Sequence, residues 1–199
     1  LKDRWPGHEA GQFAFVTFDR REGAHPFTIA SAWSGDGRLL FLVKSLGDYT
    51  AKLASTLATG DLVQVEGPYG RFDFEDSSQR QIWIGGGIGI TPFIARLQAL
   101  AAQPDGRTVD LYHTTRDVDD TALQRLSDLA RAAGVRLRIL IDSRDGMLSG
   151  ERLRREVPDW RSADFWFCGP AKFGDMIRSD LTQRGLPSER FHQELFAMR

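Results

Sequence analysis

Residues 82–93 read IWIGGGIGITPF, a run that few folds can accommodate. A short apolar stretch, four glycines within five positions and then Thr-Pro opening a helical pattern read as strand, tight turn and helix start. Glycines let a backbone approach a phosphate closely, and the unpaired amides of a helix's first turn favour negative charge. Pro92 suits the first helical position, where no N–H is needed, with Thr91 as the cap. Gly85, Gly86, Gly87, Ile88, Gly89, Thr91 and Pro92 are therefore candidate binding residues for a nucleotide pyrophosphate. The spacing departs from G-x-G-x-x-G, because Ile90 stands where the third glycine would fall. A purely structural glycine-rich turn is the competing reading.

On either side of this run the chain follows different grammars. Before it, residues 13–18, 27–31, 39–45 and 62–66 are rich in β-branched and aromatic types, with Gly/Asp punctuation between them. One short helix is predicted at 49–57. After a polar stretch at 73–80, taken as a linker, strands and helices alternate. Strands are expected at 81–84, 109–114, 135–141, 164–167 and 191–195, and helices at 91–102, 120–133, 150–157 and 171–184. Such a pattern builds a doubly wound parallel sheet, with ligands at the carboxyl ends of its strands. The boundary is set at 1–76 and 77–199. A chain of 199 residues with 41% hydrophobic content suits one large or two small domains with a real core.

Composition removes several classes of function. A net charge of −1 provides no field for nucleic acid or an anionic membrane. Cys168 is the only cysteine, which excludes an intrachain disulfide and an all-cysteine iron–sulfur cluster within this chain. The four histidines, His8, His25, His113 and His192, lack metal-ligand spacing, so no metal is expected. No apolar run approaches the roughly 18 residues of a membrane span. The chain opens on Leu1 and not Met, and enters structured-looking sequence within about a dozen residues, as a fragment of something longer would.

Five short segments share an order: HPFT (25–28), GDYT (47–50), GPYG (67–70), GGGIGITPF (85–93) and CGP (168–170), with Glu194-Leu195-Phe196 near the end. In that order and spacing the sequence resembles the ferredoxin–NADP reductase superfamily over essentially its whole length. The closest resemblance is to the dehydrogenase portion of ferric reductases and NADPH oxidases of membranes, bacterial relatives included. The resemblance implies an N-terminal antiparallel Greek-key β-barrel that binds FAD, short of one or two strands upstream of Leu1. It implies a C-terminal doubly wound parallel sheet of five strands that binds NAD(P).

Site roles follow from the same resemblance. His25, Pro26, Phe27 and Thr28 would carry the flavin, Phe27 against its ring and Thr28 near N5. Soluble relatives place Arg where His25 stands, and an imidazole neutralises less of the pyrophosphate's charge than a permanent guanidinium. Gly47, Asp48, Tyr49 and Thr50 begin the short helix whose amides would receive that pyrophosphate. Lys44 would reach the same phosphates or simply end a strand in solvent. The Tyr69 turn would stack near adenine or cap the barrel. Thr115 and Arg116, at the end of the second parallel strand, suit a 2′-phosphate and favour NADPH, with NADH possible. The segment 142–146 reaches the cofactor or is a plain loop. Cys168, Gly169 and Pro170 would line the nicotinamide, Glu194 would hydrogen-bond beside it, and Phe196 would cover the flavin. Thr28, Cys168, Glu194 and Phe196 are thus the implied catalytic set.

The expected activity is hydride transfer from NADPH to FAD, then single electrons to a haem, ferric iron or O₂. The expected partner is a haem-bearing transmembrane domain upstream in the same chain, which puts the module on the cytoplasmic face of a membrane. Alternatives are a stand-alone cytoplasmic reductase of ferredoxin, flavodoxin or free flavin, and a non-catalytic nucleotide-binding module.

Overall fold

The computed structural model describes residues 1, 5–45, 47–75 and 78–194. Strand β4 (Arg80–Gly86) is buried at every position, as a strand covered on both faces must be. It is the middle of a five-stranded parallel sheet with order β6-β5-β4-β7-β8, the others being β5 (Thr108–Thr115), β6 (Arg136–Ile141), β7 (Asp164–Cys168) and β8 (Phe191–Glu194). Helices α2 (Thr91–Ala102) and α3 (Asp120–Ala132) cover one face, where Phe93, Leu97, Leu126 and Ala130 join Trp83, Leu111 and Trp166 in one core. The single turn α4 (Asp142–Asp145) follows β6 directly. Helices α5 (Gly150–Glu156) and α6 (Ala171–Gln183) cover the other face, packing Leu153, Ile177 and Leu181 on Ile82, Ile84 and Phe165.

Strand order reverses at β4. The chain moves outward through β5 and β6, then returns to the far side of β4 for β7 and β8. A crevice opens at such a switch point, beyond the carboxyl ends of the strands. At the opposite end of the sheet Asp110, 1% exposed, gathers Arg80, Arg136 at 2.8 Å and Arg138 at 2.5 Å. Burial works to raise its pKa, but the hydrogen bonds from Arg138 and Arg80 prevail and hold it below the usual carboxylate value.

The N-terminal part forms a three-stranded antiparallel sheet, order β2-β1-β3, from β1 (Phe13–Thr17), β2 (His25–Thr28) and β3 (Gln64–Tyr69). Helix α1 (Asp48–Thr56) lies between β2 and β3 in the chain. The two sheets are those of the expected pairing, an antiparallel barrel module beside a doubly wound parallel one. The modules are joined by an aromatic plug: Phe72 and Phe74 leave β3 and enter the α2 face of the parallel sheet. Phe74 is fully buried, its ring centroid 4.9 Å from Trp83, 5.7 Å from Phe93 and 5.1 Å from Trp166.

Several expectations need correction. Residues 39–45 form no strand: Phe41 makes one isolated bridge to Ile29, and Leu40 and Val43 are exposed. The strand expected at 27–31 begins earlier, because the pairing with β1 runs from His25 to Thr28. GPYG does not make a turn; Gly67, Pro68 and Tyr69 lie within β3, and Tyr69 pairs with Phe13. The segment 73–80 is no solvent-exposed linker, since Phe74 is core and Arg80 opens β4. Helix α2 has the expected bounds, but its cap is Ile90, preceded by a 3₁₀ turn over Gly87–Ile90. Thr91 is already helical, and its Oγ1 donates to the Ile88 carbonyl at 2.7 Å instead of accepting from an amide. Pro92 accordingly falls at the second helical position.

Candidate functional site

The glycine-rich turn and the Cys168 turn occupy the switch-point crevice, because β4 and β7 are neighbours and Gly85 pairs with Cys168. Their backbones interlock. A methyl group on Gly89 would fall 2.1 Å from the Cys168 carbonyl oxygen, and one on Gly86 would fall 3.0 Å from Pro170 Cδ. Gly89 is therefore required by strand-to-turn packing. Gly87 is different: it takes φ +57°, and a methyl group there would meet nothing within 4 Å. It is the glycine that faces open space, at the head of the 3₁₀ turn that leads into α2. The Thr91 N–H is already taken by the Ile88 carbonyl and Pro92 has none, so amides of the turn itself are the candidate donors. Such a cradle fits an anionic phosphate.

Cys168 ends β7, is 4% exposed, and pairs in register with Glu194 at the end of β8. Burial, aided by the Glu194 charge, pushes its thiol up to about 12. The thiol is protonated at any physiological pH, so it is not a nucleophile. Burial likewise raises Glu194 to about 7, and its Oε2 has no hydrogen-bond partner among the described residues. A buried carboxyl of this kind holds a proton near neutrality and can donate it in a hydrogen bond.

Opposite these stands the edge of the antiparallel sheet. A methyl group on Gly70 would lie 3.1 Å from Glu194 Oε1 and 3.2 Å from the Phe13 ring. Phe13 in turn pairs with Thr28 across β1 and β2. Thr28, Phe13, Gly70, Glu194 and Cys168 thus succeed one another across the junction of the two modules. Gly70 closes the GPYG segment, whereas no motif marks Phe13, whose place follows only from strand register.

On β2, His25 and Phe27 project to one face and Pro26 and Thr28 to the other, as alternation requires. His25 stacks on Tyr49 of α1, centroids 3.9 Å apart, while Phe27 packs on Phe18 and Phe41 at 5.7 and 6.3 Å. His25 Nε2 and Tyr49 Oη are buried without partners among the described residues. Beside them Gly47 caps α1 and exchanges hydrogen bonds with Thr50 Oγ1 at 3.2 Å. Orphaned polar atoms next to a helix start fit a polar ligand group, and the pyrophosphate-sized anion of FAD is one. Asp48 begins that helix and is exposed.

Other candidates are engaged elsewhere. Lys44 makes an ion pair with Asp117 of the parallel-sheet module. Thr115 Oγ1 closes a turn with Asp117, accepting from its N–H at 3.0 Å. Arg116 is 85% exposed and touches Asp142 Oδ2 at 3.3 Å, so the 142–146 segment contributes a carboxylate to this sheet edge. Phe196 lies outside the described residues. His113, unassigned from sequence, is buried on β5 with Nδ1 3.2 Å from the Gly85 carbonyl, and burial lowers its pKa.

Comparison with known proteins agrees with this two-module geometry. Residues 2–73 match the family of FAD-binding domains, and residues 83–179 match the oxidoreductase NAD-binding domain family. The chain is 28% identical over 203 residues to the ferredoxin reductase component of 3-ketosteroid-9-alpha-monooxygenase from Rhodococcus rhodochrous, covering 98% of this chain and 58% of that protein. It is 25% identical over 162 residues to a flavohemoprotein of Oceanobacillus iheyensis, covering 76% and 40%. Among solved structures, an Amycolatopsis cytochrome P450 reductase superposes with a TM-score of 0.81 at 26% identity, over 96% of this chain and 61% of that one. The chain spans about half the length of the curated relatives it matches.

Proposed function

Because the chain belongs to the ferredoxin–NADP reductase family of FAD- and NAD-binding oxidoreductases, we propose that it takes a hydride from a reduced nicotinamide nucleotide onto FAD and passes single electrons to a separate acceptor. The observation that supports this reading is the run of neighbours across the module junction, from Cys168 and Glu194 through Gly70 and Phe13 to Thr28. Bound FAD supplies the conversion between two-electron and one-electron chemistry.

The chain's own residues bind, orient and exclude water. The Gly87 turn and the start of α2 take the nucleotide's pyrophosphate, while His25, Tyr49 and the Gly47 end of α1 take that of FAD. Phe27 and Thr28 position the flavin ring. The protonated Cys168 packs beside the nicotinamide, with Gly169 and Pro170 shaping the turn that carries it. Glu194 holds a proton at its carboxyl and directs it to the carboxamide. Alignment of two rings at contact distance is the main catalytic contribution of such a protein.

For the acceptor we propose an iron-bearing one-electron carrier, haem or iron–sulfur, in a companion domain or protein. The names of the relatives, a monooxygenase's ferredoxin reductase component and a flavohemoprotein, favour that class. A transmembrane haem domain with ferric iron or O₂ beyond it is the second reading, favoured by His25 in place of the usual Arg. Among the described residues no helix is long and apolar enough to cross a membrane. NADPH is the proposed donor, on the strength of Arg116, whose exposed guanidinium a 2′-phosphate would take over from Asp142.

Mixing the chain with FAD and then with NADPH under anaerobic conditions tests the reading: the visible flavin band should bleach. Retained FAD that neither NADPH nor NADH bleaches would refute it. Arg116→Ala should weaken NADPH roughly tenfold, the worth of one charge-assisted bond, and leave NADH within about twofold. Equal losses for both nucleotides would remove the 2′-phosphate contact.

A further inference from the structure

The side-chain amide of Gln98, on α2, grips the main chain of the other module. Its Oε1 accepts from the Ala32 N–H at 3.1 Å, and its Nε2 donates to the Ala30 carbonyl at 3.2 Å. Accepting from one residue and donating to another two positions away copies the bonding of a neighbouring strand. The gripped segment starts two residues after Thr28 and is held from behind as well. Ala30 N donates to Leu40 O at 2.7 Å, and His8 Nε2 lies 2.8 Å from Ser31 O. Ala30 is fully buried, and small residues at 30 and 32 let the helix approach. Along α2, Gln98 stands about 10 Å from Thr91 and the glycine-rich turn.

Two other contacts between the modules do not hold the Thr28 strand. The Phe72–Phe74 plug combines apolar packing with hydrogen bonds from the Gln81 and Arg107 side chains to the Phe74 carbonyl, both at 3.3 Å, but it holds the chain beyond β3 and not β2. The exposed Lys44–Asp117 pair is of a kind that contributes little. We propose that Gln98 is a positioning residue for hydride transfer: it locks β2, with Thr28, to the helix whose first turn holds the nucleotide, and so sets the separation of the two bound rings. This inference rests on the function proposed above. No motif announced it, since Gln98 is, like Arg96, an isolated polar residue in a largely apolar helix.

Two variants test it in the full chain. Gln98→Leu keeps the side chain's bulk and loses both bonds. Gln98→Glu keeps the acceptor, and only its protonated form can donate to Ala30. Without cofactors, Gln98→Leu should speed exchange of the Ala32 amide about tenfold or more and separate the alignment tensors, from residual dipolar couplings, that the two modules share in the wild type. With FAD bound, single-turnover flavin reduction should fall roughly ten- to a hundredfold, the scale of a sub-ångström to one-ångström misplacement. Nucleotide affinity should stay within about twofold, because the phosphate turn is untouched. In Gln98→Glu the rate, relative to wild type at the same pH, should recover as pH falls. A shared tensor retained in Gln98→Leu would overturn the proposal, as would an unchanged reduction rate or a loss that merely follows the melting temperature. A wild-type chain that binds FAD and is not reduced would sink the functional reading and the catalytic consequence with it, while the alignment measurement still decides whether Gln98 joins the modules.

Discussion

Replacing Glu194 with Gln should remove a specific dependence of stability on pH. The Glu194 carboxyl is buried at Oε2 without a partner among the described residues, and burial raises it from 4.5 to about 7. Between those values the folded chain keeps a proton that the unfolded chain has released, so stability is lost as pH rises through the window. At about 1.4 kcal/mol per pH unit the full gap is on the order of 3 kcal/mol, of which about 2.5 kcal/mol falls between roughly pH 5 and pH 8. In a chain of 199 residues that corresponds to a fall of roughly 5–10 °C in Tm. His113 acts in the opposite sense: burial lowers its pKa, so its contribution is intact at high pH and is lost as pH falls through the ordinary imidazole range. Asp110, held low by its arginines, matters only in stronger acid. Both are common to the two proteins and cancel in the comparison. Urea unfolding of wild type and Glu194→Gln at a series of pH values should give a difference that shifts by about 2.5 kcal/mol across this range, in favour of the variant at high pH. Parallel curves, with the difference flat to about 0.5 kcal/mol, would refute a buried, protonated carboxyl at this position.

Other expectations separate binding from folding. Gly89→Ala, which puts a methyl group 2.1 Å from the Cys168 carbonyl, should cost about 1–3 kcal/mol in denaturant unfolding. Gly87→Ala has open space at φ +57°; it should cost about 1 kcal/mol and act mainly on nucleotide affinity, read by titration. Cys168→Ala should slow single-turnover flavin reduction more than it weakens nucleotide binding, and an unchanged rate would dismiss the assigned role. Asp110→Ala, leaving Arg80, Arg136 and Arg138 without their shared carboxylate, should cost about 3 kcal/mol by urea unfolding with little effect on nucleotide affinity.

Much of the parallel-sheet module was legible in the amino-acid order. Its central strands β4, β5 and β7 are buried on both faces and its helices carry an apolar stripe, so residues 91–102 and 120–133 announce themselves by spacing. The antiparallel module was less legible. Residues 39–45 have the composition of a strand but make a single bridge, because β-propensity registers a half-buried surface and their neighbours do not supply one. Phe74 was misread with its polar neighbours, since one aromatic among charges looks like a linker until Trp83, Phe93 and Trp166 surround it.

By itself the sequence determined the chemistry that can be assembled here: a glycine-rich turn before a helix, one thiol in CGP, one carboxyl near the end, and HPFT on a strand. These are local facts of residue type and spacing. Only the tertiary structure decided which glycine faces open space and which packs on the next strand, that the thiol and carboxyl titrate far from their ordinary values, and that Gln98 joins the two modules. Each of these depends on burial or on contacts between residues distant in the chain, and a one-dimensional pattern carries no measure of either.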